Sequence, residues 1–85
     1  MKIEFDPTKD ATNIAKHNIS LARAVEFEML AVQPDTRFDY GEERFRALGL
    51  IEGEAYCLAF TTRGRKVRVI SLRPAGEKEM KRYVR

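Results

Sequence analysis

The sequence predicts an α+β fold: a small antiparallel sheet, an N-terminal helical hairpin packed on it, and a short C-terminal helix. Two observations carry this. Apolar residues recur at helical spacing on either side of Ser20 and again near the C-terminus. Between those regions three apolar runs, about Glu43–Ile51, Ala55–Thr62 and Lys66–Leu72, follow one another across Glu52-Gly53 and Arg63-Gly64, steps that signal hairpins. Strands joined in this way are antiparallel. The middle one is apolar on both faces, so it is expected at the centre, with helices on one side of it.

The elements follow in the order β-α-α-(β)-β-β-β-α. Lys2-Ile-Glu-Phe5 alternates polar and apolar residues, the mark of a short strand. Asp6-Pro7 then opens a helix, because Asp accepts from free backbone amides and Pro lacks the N–H that would have no partner. The helix is expected to run to about His17, with Ala11, Ile14 and Ala15 inward and Lys9, Asp10 and Lys16 in solvent. Asn18 suits the left-handed residue that closes it. Ser20 caps a second predicted helix, Leu21 to about Leu30, whose apolar stripe comprises Leu21, Ala24, Val25, Phe27 and Met29. From Ala31 to Glu42 the pattern weakens into two turns with at most a short strand between them. The last helix is expected from about Ala75 to Tyr83, with Glu77 and Glu79 in its first turn, Lys81, Arg82 and Arg85 at its end, and Met80, Tyr83 and Val84 inward.

Size and composition exclude several classes. The chain has 85 residues, read as a single domain over 1–85, with 44% hydrophobic and 34% charged residues. No run approaches the roughly 18 apolar residues of a membrane span. The beginning Met1-Lys-Ile-Glu-Phe-Asp6 is too acidic for a signal peptide, so a cytoplasmic protein is expected, without a membrane partner. One Cys and one His do not make a dedicated metal site, and no cofactor is expected. Cys57, between Tyr56 and Leu58, reads as a buried, inert thiol.

The charge is unevenly placed. Residues 1–62 hold 7 basic and 11 acidic side chains, net −4, whereas residues 63–85 hold 9 basic and 2 acidic ones, net +7. Such a field draws polyanions to one part of the protein. In the strand after Gly64, strict alternation sets Val67, Val69 and Ser71 on one face and Arg68, Ile70 and Leu72 on the other. One of Arg68 and Arg73 must therefore escape the core by a bend, an edge position or pairing. Either guanidinium fork suits a phosphate; an ion pair with Glu43 or Glu79 is the structural alternative. Arg44, Arg46 and Arg63 extend the candidate phosphate-binding surface, together with Lys9 and Lys16. His17 is the one side chain that ordinarily titrates near neutrality, which suits proton transfer, and it also suits a helix C-terminus. Tyr83 offers a phenol or a core ring.

Several segments together resemble a known family. Ile3-Glu-Phe-Asp-Pro-Thr-Lys9, Asn13-Ile-Ala-Lys-His-Asn-Ile-Ser-Leu21, Gly41-Glu-Glu-Arg-Phe45 and Arg68-Val-Ile-Ser-Leu-Arg-Pro-Ala75, with Glu79 and Tyr83, are similar to the BrnT family of bacterial type II toxins, ribonucleases of RelE-like fold that pair with BrnA antitoxins. Departures are Asn18 where Gly is usual, Phe5 where Trp is common, and Leu72 and Pro74 flanking Arg73. The resemblance implies metal-independent cleavage of RNA by 2′-OH attack, inhibiting translation. Catalytic roles would fall to Arg68, Arg73, His17 and Tyr83. It also implies a BrnA-type antitoxin, a heterotetramer with it, and contact with DNA only through that partner. The alternative it leaves open is a catalytically weak homologue that serves as a binding partner in an autorepressor complex.

Overall fold

The turn between the second and third predicted strands shows why this part of the chain folds locally. Glu52 and Gly53 both have positive φ, 51° and 78°, the pairing that matches the twist of two antiparallel strands. Gly64 at φ 59° makes the next hairpin. The computed structural model describes residues 2–84. Its elements are β1 (Ile3–Glu4), α1 (Pro7–His17), a 3-10 helix (Leu21–Glu26), β2 (Glu28–Pro34), β3 (Phe45–Ile51), β4 (Glu54–Arg63), β5 (Lys66–Pro74) and α2 (Glu77–Tyr83). The five strands form one sheet in the order β1-β5-β4-β3-β2, with β4 central. It is mixed, because β1 runs parallel to β5 while every other pair is antiparallel.

The second predicted helix is replaced by a 3-10 turn and a strand. Leu21 and Ala24 are buried at the spacing a 3-10 helix places on one side, and the chain then extends from Phe27 into β2. Val25, expected inward, is 58% exposed, and Met29 is exposed as well. A short apolar run such as Phe27–Val32 fits either period. Here the open edge of β3 wins, pairing with β2 from Leu50 opposite Glu28 to Phe45 opposite Pro34. Gly49 makes that approach feasible, since a Cβ there would collide with the Glu28 carbonyl oxygen and the Phe27 ring. The helical hairpin is therefore not present, nor is a strand between the two predicted turns. The irregular stretch expected over Ala31–Glu42 occupies residues 35–44 instead, because residues 31–34 belong to β2.

Helix α1 has the predicted bounds but the opposite face inward. Asp6 caps it by accepting from the Thr8 N–H at 2.8 Å, and Asn18 closes it at φ 56°. Ala11, Ile14 and Ala15 are exposed, Ile14 at 45%. The buried residue is Asn13, at 4%. Because β1 covers only Val67 and Arg68 of β5, the rest of that edge needs other hydrogen-bond partners. Asn13 supplies them: its Nδ2 donates to the Leu72 carbonyl at 2.8 Å and its Oδ1 accepts from the Leu72 N–H at 3.1 Å, so one carboxamide imitates a neighbouring strand. Nδ2 also donates to the Ile19 carbonyl at 2.9 Å. Asp10, expected in solvent, caps the 3-10 helix by accepting from the Leu21 N–H at 2.7 Å and the Ser20 hydroxyl at 3.0 Å.

The core lies under the 3-10 helix on one sheet face, where Leu21, Ala24 and Ile19 meet Ala47, Ile51, Leu58, Phe60, Val69 and Leu72. Phe45 stacks on Phe60 at its end, with ring centroids 5.4 Å apart. The other sheet face carries α2, so helical elements lie on both sides of the sheet. Helix α2 keeps the predicted charge order, with Glu77 and Glu79 in its first turn and Lys81 and Arg82 in its last. Arg85, also expected there, lies outside the described residues.

Candidate active site

A β-bulge in β5 decides where the arginines point. Val69 pairs with Phe60 and Ser71 with Ala59, which leaves Ile70 without a partner and resets the alternation. Val67, Val69 and Leu72 then share the core face. Arg68, Ser71 and Arg73, opposite Thr61, Ala59 and Cys57, share the other. The conflict posed by strict alternation is thereby removed: neither arginine enters the core, and both stand on the face that α2 partly covers.

That face holds a depression of about 100 Å³ lined by Ala31, Gln33, Arg46, Leu48, Cys57 and, from α2, Glu79 and Tyr83. Arg46 arrives there because it alternates with the core residues Phe45 and Ala47 of β3. Its buried Nε has no hydrogen-bond partner. Arg73 stands on the same face of β5, opposite Cys57, and its Nη1 and Nη2 donate to Glu79 Oε1 and Oε2 at 2.9 and 2.8 Å. The bidentate bond from Arg73 holds the Glu79 carboxyl below its ordinary range, against the opposing effect of partial burial. The same pair raises the Arg73 guanidinium further above neutrality. Burial pushes the Cys57 thiol up, so it stays protonated and unreactive near neutral pH, as its neighbours suggested. Tyr83 is 38% exposed and lines the depression, rather than entering the core.

The Arg46 fork, an ionised carboxylate and a phenol thus line one shallow concavity, and the Arg73 fork is bonded to that carboxylate. Chemically they suit a tetrahedral anion, with a proton acceptor and a proton donor beside it. A family model described as a ribonuclease toxin, BrnT, of type II toxin–antitoxin systems matches residues 5–79. The chain belongs to the BrnT family. No curated relative matches it. The matched segment includes Arg46, Arg68, Arg73 and Glu79, while Tyr83 lies beyond it. BrnT membership makes this a toxin of a type II system, in a family of ribonucleases, and implies an antitoxin partner and an RNA target. No helix among the described residues is long and apolar enough to cross a membrane.

Not every predicted site residue in this BrnT chain meets the others. Arg68 is on the Arg73 face but four register positions away, with its Nη1 donating to Glu4 Oε2 at 3.1 Å. His17 ends α1 and lines a different depression, with Lys9, Lys16, Ile70 and Ser71, that shares no residue with the first. Arg63 is exposed at the β4–β5 turn. Arg44 precedes β3, with its guanidinium 4.1 Å from the centre of the Tyr40 ring. In the sequence, Glu79 stands out only as an alternative partner for Arg73 and as part of the resemblance, without a chemical role. Its position shortly after Pro74, in the first turn of a short helix, is the available signal.

Proposed function

We propose that this chain is a metal-independent endoribonuclease that cleaves RNA at the Arg46–Arg73–Glu79–Tyr83 face and thereby inhibits translation. The observation that carries the reading is the bulge at Ile70, which turns Arg73 onto the sheet face that also carries Arg46. In the proposed reaction the ribose 2′-OH attacks the adjacent phosphorus. A bond forms from O2′ to phosphorus and the bond from phosphorus to O5′ breaks, leaving a 2′,3′-cyclic phosphate and a free 5′-hydroxyl. Arg46 and Arg73 stabilise the charge that grows on the non-bridging oxygens. Glu79, ionised at neutral pH, accepts the 2′-OH proton, and the Tyr83 phenol protonates the leaving O5′. Proton transfer is assigned to these two rather than to His17 because His17 lines the other depression. Arg68 extends the cationic surface along β5. Lys9, Lys16, Arg44 and Arg63 are peripheral strand contacts, and the RelE-like character of the fold belongs to the same proposal.

The proposed partner is a BrnA-type antitoxin, assembled with the toxin as a heterotetramer in the cytoplasm and touching DNA on the toxin's behalf. Its acidic segment would meet residues 63–85, net +7, so the contact weakens with salt. The Arg73–Glu79 pair also favours a second reading. A guanidinium already bonded through both terminal nitrogens has less to offer a phosphate, as in a catalytically weak toxin kept as a corepressor. Expression of the chain alone separates the readings. Growth arrest with new RNA ends bearing 2′,3′-cyclic phosphate supports the endoribonuclease. Normal growth and intact RNA, with the chain folded and abundant, support the corepressor.

A further inference from the structure

The segment between β2 and β3 carries an organised aromatic surface that the proposed chemistry leaves unused. Phe38 is 69% exposed, a large apolar area to leave in water on a single side chain. It is not isolated. Its ring stands edge-on to Tyr40 with centroids 5.8 Å apart and planes at 70°, and the Arg44 guanidinium covers the Tyr40 ring.

One carboxylate holds the segment in place. Asp35 accepts from Arg37 Nε at 2.9 Å, Arg37 Nη2 at 3.0 Å and the Tyr40 hydroxyl at 3.1 Å, while its backbone N–H donates to the Arg44 carbonyl at 2.7 Å. The segment is thereby tied to the start of β3. Arg44 and Arg46 are two residues apart, about 7 Å along an extended strand. Residues 35–44 link the end of β2 to the start of β3, so the aromatic surface stands at the end of β3 from which Arg46 projects.

Resting on the endoribonuclease reading, we propose that Phe38, backed by Tyr40 and Arg44, is a stacking platform for an unpaired base of the RNA strand whose phosphate lies at Arg46 and Arg73. A flat ring with cations beside it accepts the π-face of any base and leaves the sugar-phosphate chain against the arginines. The contact favours single-stranded RNA, because a base paired within a helix does not present its face. It positions the strand and takes no part in bond breaking.

The test uses the full chain and a fluorescent, unstructured oligonucleotide with 2′-O-methyl groups, which 2′-OH attack cannot cleave, together with the same backbone lacking its bases. Anisotropy gives both affinities. Phe38→Ala is expected to weaken binding of the base-bearing strand roughly five- to hundredfold, without changing binding of the abasic one. Phe38→Trp restores the affinity and Phe38→Leu does not. The proposal is overturned if Phe38→Ala binds the base-bearing strand as wild type does, if Phe38→Leu restores affinity as well as Phe38→Trp, or if wild type does not distinguish the two strands. Cleavage of unmodified RNA is followed in parallel. If Arg73→Ala abolishes cleavage and Phe38→Ala alters neither binding nor rate, the platform fails and the endoribonuclease stands. If binding depends on Phe38 in a protein that cleaves nothing, the platform stands and the endoribonuclease fails.

Discussion

Arg73 and Glu79 meet fork to fork, with Nη1 on Oε1 at 2.9 Å and Nη2 on Oε2 at 2.8 Å, and so join the last strand of the sheet to the helix that partly covers its open face. The pair fixes the guanidinium plane and keeps the carboxylate charged. In the proposed reaction it aims one group at the phosphate and the other at the nucleophile.

The pair gives a pH-dependent signature. Glu79 has a folded pKa below its unfolded value, so its stabilising contribution is present above the ordinary carboxylate range and is lost as pH falls through the depressed folded value. Glu79→Gln is therefore expected to melt at a lower temperature than wild type at pH 7, with the two curves converging in acid below about pH 4. Thermal melts across that range check it. Arg73→Lys, which keeps the charge and loses the fork, is expected to show the same convergence at a smaller gap.

Asn13 is expected to be a structural keystone of α1. Asn13→Ala leaves the buried N–H and C=O of Leu72 without partners, at a cost of about 2–4 kcal/mol. Urea unfolding should show this loss, and Asn13→Asp, which cannot donate to Leu72, should not recover it.

Ile14 is expected to be dispensable for folding. Its side chain lies on the exposed face of α1, so Ile14→Lys should change stability by no more than about 0.5 kcal/mol. A large loss would restore the inward stripe that the helical spacing suggested.

Asp35 is expected to control the aromatic segment. The bonds from Arg37 and Tyr40 hold its carboxyl well below the usual range despite its burial. Its contribution to stability is thus retained above about pH 4 and lost only in stronger acid. Asp35→Asn should lower the melting temperature at pH 7 and loosen the Phe38–Tyr40 contact, read as faster exchange of the segment's amides.

Much of this was legible in the sequence because it is local. Asp6-Pro7, Asn18, Glu52-Gly53 and Gly64 act on their own backbone, and the structure follows each of them. The departures share one cause: a distant partner outweighed a local pattern. Residues 28–34 became a strand because β3 had an open edge. Helix α1 turned Asn13 inward because β5 had unpaired backbone. The arginines of β5 posed a conflict that the sequence could state and not resolve, since the resolving bulge at Ile70 depends on which residues of β4 it meets. The same holds for the site. Arg73 was identifiable from its strand, whereas the concavity with Arg46, Glu79 and Tyr83 needs the sheet order and the placement of α2. His17 attracted attention by its chemistry, which says nothing about where α1 would deliver it.

Whether the chemistry belongs to the arginine face is decided by the single-turnover rate of RNA cleavage by Arg46→Ala, Arg73→Ala and His17→Ala proteins of confirmed fold. Removing either arginine is predicted to slow cleavage by roughly 100-fold or more, as for loss of one charge-stabilising donor, with His17→Ala near the wild-type rate. Unimpaired cleavage by both arginine variants, together with loss of activity in His17→Ala, would contradict this assignment and move the chemistry to the depression beside α1.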